Sequence, residues 1–193
     1  MQAVKSKTLG LILAFLGWIG AIVSCALPKW KITTNIQSQT GTQHTIWEGI
    51  WKRCEGSPGE MQCEIYDSMT LSSDLQAARP LCIVVIVMGV LGIFFFIVGA
   101  FCYDQVMIVS GGTFICAAIL LLIPVCWATY STIKHIFPVI NSEYIEIRKI
   151  GASLYLGMAS TALLFGGGSI LGCNCLPDSV LKVCLKGCNA LIS

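Results

Sequence analysis

The sequence predicts a membrane α-helical protein, a bundle of four membrane-crossing helices that carries one large loop folded as a small antiparallel sheet. Three observations lead there. Hydrophobic residues make up 55% of the 193-residue chain and charged residues only 11%, where a soluble domain carries about a quarter charged. Four apolar runs, residues 8–28, 81–102, 106–127 and 151–175, contain no Asp, Glu, Lys, Arg or His, and each reaches the roughly 20 helical residues that cross a hydrocarbon core. Polar chemistry collects between the first two runs, in residues 29–80, which alternate like strands.

The first run follows Lys5 and Lys7 in a short leader, residues 1–7. A signal peptide also opens on basic residues, but its apolar core is only about 7–15 residues long. Residues 8–28 are therefore read as an uncleaved helix. The two lysines place the N-terminus in the cytoplasm by the positive-inside rule, and four spans return the tail, residues 176–193 with Lys182 and Lys186, to the same side. Residues 29–80 and 128–150 then lie outside, and residues 103–105 form a very short inner connection. Two antiparallel helices can be joined by so few residues.

In the large outside loop, Trp30, Ile32, Thr33, Thr34 and Ile36 begin a β-branched pattern that Thr45, Ile46, Trp47, Ile50 and Trp51 continue, and Gly41, Gly56, Pro58 and Gly59 punctuate it with turns. Cys54 and Cys63 flank the Gly56-Ser57-Pro58-Gly59 turn, and an outside compartment oxidises a pair that a hairpin brings together. Closing a ring of that size contributes about 3 kcal/mol in the chain-entropy account. Trp30 and Trp51 are expected at the headgroup level, where an indole finds both an apolar neighbour and a hydrogen-bond partner. Gly49, between bulky residues, marks a bulge or a close backbone approach.

Composition also excludes several functions. The net charge is +2 with basic residues scattered singly or in pairs, so there is no stripe to follow a nucleic-acid backbone. The eleven cysteines include no CxxC pair, which argues against zinc-ribbon or thioredoxin chemistry; no metal or cofactor is expected. The spans hold no ionisable residue for a proton relay or ion pathway, and no cluster of His, Cys and carboxylate for catalysis, so the chain is not read as an enzyme or a pump. Selectivity, if any, lies outside the bilayer. Small residues, among them the Gly168 and Gly172 of a GxxxG, are read as packing sites inside the bundle. Cys25, Cys82, Cys116 and Cys126 are read as buried small hydrophobes.

Several spaced motifs together resemble a known family. Trp30, then Trp47, Glu48, Gly49, Ile50 and Trp51, then Cys54 and Cys63, resemble the W, GLW, C, C signature of claudins, with Ile50 where Leu is usual. Residues 74–79 (DLQAAR), 124–127 (PVCW) and 151–155 (GASLY) are also similar to claudin sequence. The resemblance implies a left-handed bundle under a sheet of five strands, four from the first outside loop and one from the second. It implies a multi-pass protein of the plasma membrane at tight junctions, a structural component of junction strands that forms a paracellular barrier or an ion-selective pore through its first outside loop. Its partners would be itself and other claudins in the same and the apposed membrane, besides membrane lipid.

The same resemblance assigns candidate roles. Arg79 joins the signature, and Glu64 falls where the family carries charge that sets ion preference; one carboxylate roughly 7 Å from an ion in water changes its local concentration about threefold. Met69 is the candidate contact within one membrane, and Phe137 with Pro138 the candidate contact across cells. Cys102, Cys173 and Cys175 are candidates for palmitoylation at the inner membrane boundary. The final residues, Ala190, Leu191, Ile192 and Ser193, do not match the Tyr-Val ending that enters a PDZ groove by strand addition, so a PDZ scaffold is not supported. The alternative reading is the peripheral myelin and epithelial membrane protein group, which shares the signature but serves adhesion or membrane organisation without ion selectivity.

Overall fold

The computed structural model describes residues 2–37, 43–57, 60–65, 73–101, 104–134, 139–140 and 144–173. Four helices are each long and apolar enough to cross a membrane: α1 (Gln2–Ala26), α2 (Ser73–Phe101), α3 (Asp104–Lys134) and α4 (Ala152–Cys173). Their outer surfaces carry exposed Leu9, Ile12, Leu16, Val87, Phe94, Ile119 and Phe165. In water such a surface would be a liability; against lipid it is the expected solvent face.

Between these helices, β1 (Lys31–Gln37), β2 (Gln43–Glu48), β3 (Lys52–Ser57) and β4 (Glu60–Ile65) follow α1, while β5 (Val139–Ile140) and β6 (Tyr144–Ile150) follow α3. They form one antiparallel sheet in the order β4-β3-β2-β1-β6-β5. The resemblance implied five strands. The sixth is the two-residue β5, whose Val139 and Ile140 pair back onto Glu146 and Ile145; a β-branched pair beside a strand edge completes a ladder too short for periodicity to reveal.

Helix ends run past the charge-free spans. α2 begins at Ser73 rather than Leu81, because residues 75 and 78 present Leu75 and Ala78 to the core while the polar side of the turn stays outside. α3 continues from Trp127 to Lys134, and its 31 residues extend about 46 Å, longer than a hydrocarbon core of about 30 Å; its end, at Ser131 and Thr132, reaches the sheet. It starts at Asp104, inside the connection assigned to residues 103–105. Pro80 and Pro124 lie within helices, as neighbouring helices permit in membranes.

The core consists mainly of small and branched side chains around one aromatic ring of α3: Ala14 and Ala21 of α1, Phe114, Ala117, Ala118 and Leu121 of α3, and Leu154, Leu164 and Leu171 of α4. Because lipid removes the hydrophobic drive between helices, they hold by close approach and hydrogen bonds. At Gly167 the approach is backbone on backbone: an added Cβ would lie 2.5 Å from the Ala14 nitrogen and 2.7 Å from the Gly10 oxygen. Gly111 of α3 approaches the GxxxG as closely: its added Cβ would lie 2.7 Å from both the Gly168 oxygen and the Gly172 nitrogen, so the GxxxG is used within the bundle. Ser110 donates to the Gly92 carbonyl at 2.7 Å, joining α3 to α2, and the Trp18 indole donates to the Ile86 carbonyl at 3.1 Å, joining α1 to α2. Cys25 and Cys82 are buried, but Cys116 and Cys126 are exposed; on a lipid-facing helix an apolar thiol needs no core to be comfortable.

Two adjacent glycines offer a matched test of this packing. Gly167→Ala should lower stability in detergent by about 1–3 kcal/mol, the usual cost of overpacking. Gly166→Ala, where an added Cβ meets nothing within 4 Å, should leave stability unchanged or raise it slightly through helix propensity. Thermal unfolding of both variants side by side checks this; equal melting temperatures would contradict the α1–α4 contact.

Candidate functional site

The residues of the tryptophan signature converge where the sheet meets the bundle. The local cause is Pro28. A helix ending at Ala26 would satisfy the Ser24 carbonyl with the backbone N–H four residues on, and that residue is proline, which has none. The Trp30 indole nitrogen donates to the Ser24 carbonyl instead, at 2.8 Å. Its ring is thereby drawn back under the chain and is fully buried. The hydrogen-bond partner that the indole seeks is therefore inside the protein, and the ring is not presented to lipid.

With Trp30 fixed, its backbone becomes a rung between sheet and bundle. The Trp30 N–H donates to the Glu48 carbonyl at 2.9 Å, the Gly151 N–H donates to the Trp30 carbonyl at 3.0 Å, and the Ser153 N–H donates to the Lys29 carbonyl at 3.1 Å. Two glycines make room for this strip of chain. An added Cβ at Gly49 would lie 2.4 Å from the Pro28 Cα, and one at Gly151 would lie 1.9 Å from the Lys29 oxygen. Ser24 donates to the Ser153 carbonyl at 2.7 Å, tying α1 to the start of α4.

The other half of the signature closes the junction from α2. The Arg79 Nε donates to the Ile50 carbonyl at 3.0 Å, and its guanidinium lies 5.5 Å from the centre of the Trp51 ring, within cation–π range. Ile50 is fully buried between them, whereas Trp51 stays partly exposed. The Gly49 N–H, bonded to the Lys52 carbonyl at 3.0 Å, shapes the turn from β2 into β3.

Above this junction the sheet has two unlike faces. Cys54 and Cys63 stand directly opposite one another and are joined by a disulfide, with Trp47 the neighbour of Cys54 on the next strand. The other face is polar. In register across four strands run Lys31, Glu48, Arg53 and Glu64, so charges of alternating sign are cross-strand neighbours, an arrangement that favours pairing. Glu64 ends the row, exposed on β4, which is an edge of the sheet. Arg53 also bonds Glu55 at 2.7 Å, and Arg148 bonds Glu146 at 2.6 Å. The same face and the end of α3 enclose a recess of about 360 Å³ lined by Lys31, Asn35, Glu48, Glu146, Arg148 and Thr132 among others.

Of the residues singled out by sequence, the structure brings Trp30, Gly49, Ile50, Trp51 and Arg79 together, joins Cys54 to Cys63, and puts Glu64 at the sheet edge. Cys173, exposed, is the last residue of α4 at the opposite end of the bundle from the sheet. Met69, Phe137, Pro138, Cys102, Cys175 and the C-terminal residues lie outside the described residues. Sequence reading misses Ser24 and Pro28, and has Arg53 only as one of the loop cations, with Lys29, Lys31 and Lys52, set against Glu64. The first two were legible as a proline four residues after a helical carbonyl; Arg53 required the β3–β4 register, which no spacing within one strand supplies.

Comparisons with known proteins agree with this geometry. The profile of the PMP-22/EMP/MP20/Claudin family matches residues 5–171. Claudin-4 of Canis lupus familiaris is 42% identical over 189 aligned residues, covering 92% of this chain and 89% of that protein. Claudin-6 of Homo sapiens is 38% identical over 186, covering 91% and 84%, and Claudin-3 of Homo sapiens 41% over 179, covering 87% and 81%.

The junction predicts a specific cost for one nitrogen. Trp30→Phe keeps an aromatic ring but leaves the buried Ser24 carbonyl without a donor, and should destabilise the protein by about 1–3 kcal/mol in detergent unfolding. Undiminished stability would mean that the carbonyl has another partner.

Proposed function

We propose that this chain, which belongs to the claudins of the PMP-22/EMP/MP20/Claudin family, is a structural component of tight-junction strands at the plasma membrane. It forms a paracellular barrier or an ion-selective paracellular pore through its first outside loop, assembling with itself and with other claudins in the same and the apposed membrane. The membrane arrangement that goes with this is both termini in the cytoplasm and the sheet outside, and Cys173 is the described candidate for lipid attachment at the inner boundary.

The observation that carries the reading is the polar row from Lys31 through Glu48 and Arg53 to Glu64, presented on a sheet held rigidly over the bundle. Spans without ionisable residues offer ions no route through the molecule. A face of fixed charges outside the membrane, by contrast, raises or lowers the local concentration of small ions in any narrow space it borders. Glu64 ends that row on an exposed edge strand, where a neighbouring molecule or a permeating ion can reach it. Arg53, directly across from it, opposes its effect.

Selectivity is thus set by the pair rather than by one carboxylate. In an epithelial line that lacks its own strands, Glu64→Gln should lower the sodium-to-chloride permeability ratio by about threefold, and Arg53→Gln should raise it by a similar factor. Dilution potentials measure the ratio directly. If neither substitution moves it, the row does not face the ion path.

A further inference from the structure

Two thiols that the junction does not use lie directly beneath it. Cys25 is the penultimate residue of α1, one position after the Ser24 that receives the Trp30 indole, and Cys82 lies one helical turn after the Arg79 that holds Ile50. They are 3% and 0% exposed and belong to one buried cluster. Trp18 of α1 packs on Gly89 and bonds Ile86 of α2; seven residues onward along α1 and seven back along the antiparallel α2 stand Cys25 and Cys82, at the same level of the seam. Two cysteines from different helices, both buried and level with one another across one seam, are more than the small hydrophobes that each resembles alone. The pair also lies at the end of the bundle that carries the sheet, and there Cys54 and Cys63 are already oxidised. That end therefore passes through an oxidising compartment.

We propose that Cys25 and Cys82 are a dithiol–disulfide site that latches α1 to α2 beneath the sheet. One thiolate attacks a small or enzyme-borne disulfide, forming a mixed disulfide and releasing one thiol; the second thiolate then displaces the other sulfur. One S–S bond forms within the protein and one is lost from the oxidant. The two electrons leave as the reduced dithiol of that oxidant, which also takes up the two protons. Because both sulfurs are shielded in the closed bundle, the exchange takes place as α2 docks on α1, and a reductant reverses it only when the two helices part. The bridge spans 57 positions of sequence and encloses the Cys54–Cys63 bridge within its loop. It acts at the α1–α2 seam, where the Trp18 indole and the Ile86 carbonyl otherwise supply the hydrogen bond between the helices.

The test uses the full chain, isolated in detergent without reductant, its free thiols alkylated on lysis, and digested without reduction for peptide mass spectrometry. A peptide pair joined through Cys25 and Cys82 is expected alongside the Cys54–Cys63 bridge. It should be lost in Cys82→Ser and in Cys82→Val, of which the second preserves apolar volume should the first fold poorly. Refolding the reduced protein with glutathione disulfide should restore it and lower the number of alkylatable thiols by two relative to wild-type protein in which only Cys54 and Cys63 are joined, which leaves one fewer than in either variant. Recovery of Cys25 and Cys82 as alkylated thiols in all molecules, before and after that treatment, while Cys54 and Cys63 remain joined, would overturn the proposal.

Discussion

One missing N–H organises the molecule. Pro28 ends α1 without a donor for the Ser24 carbonyl, and in a helix end covered by protein and lipid that orphan is costly. The Trp30 indole resolves it. Everything around the junction follows from where that indole must then lie: the backbone of Lys29 and Trp30 is held in a fixed strip, Glu48 and Gly151 bond to either edge of it, and residues 49 and 151 can carry no side chain. Arg79 closes the remaining side by gripping the Ile50 carbonyl under the Trp51 ring. The family signature is therefore a mechanical device that fixes the sheet to the bundle, and it contributes to selectivity only by holding other residues still.

The division of labour between bundle and sheet reflects two solvents. Within lipid, polar side chains are tolerated where they bond backbone carbonyls, as Ser110, Ser160 and Thr161 do, and close glycine contacts replace the hydrophobic drive. Outside lipid, charge is affordable, and the sheet places it on one face while the disulfide and Trp47 occupy the other. The disulfide braces β3 to β4, the strands bearing Arg53 and Glu64. A charged row on an unbraced edge hairpin would lose its geometry, because isolated hairpins are marginal in water.

How much of this was legible in the sequence depended on whether the governing period was local. Four uncharged apolar runs announced four helices, and the Cys54–Cys63 hairpin announced a disulfide, because each signal lies within one segment. Helix ends were displaced because residues 73–80 and 128–134 are polar enough to stop a hydropathy reading yet still present Leu75, Ala78, Ala128 and Thr132 to the interior. The partner of the Trp30 indole was not legible because an indole is equally suited to a membrane surface and to an orphaned carbonyl, and only the position of Pro28 distinguishes the two. The charged row and the placement of Cys25 level with Cys82 were illegible for a different reason: they depend on strand register and helix facing, which join residues far apart in the chain.

The sheet is fixed to the bundle through Trp30. Residue-resolved hydrogen–deuterium exchange in detergent or nanodiscs tests it most directly. The amides of Trp30, Gly151 and Ser153, which bridge strip, sheet and α4, should exchange as slowly as those of the helix cores. Exchange at these three amides on the timescale of solvent-exposed loops, with the helix cores still protected, would contradict it.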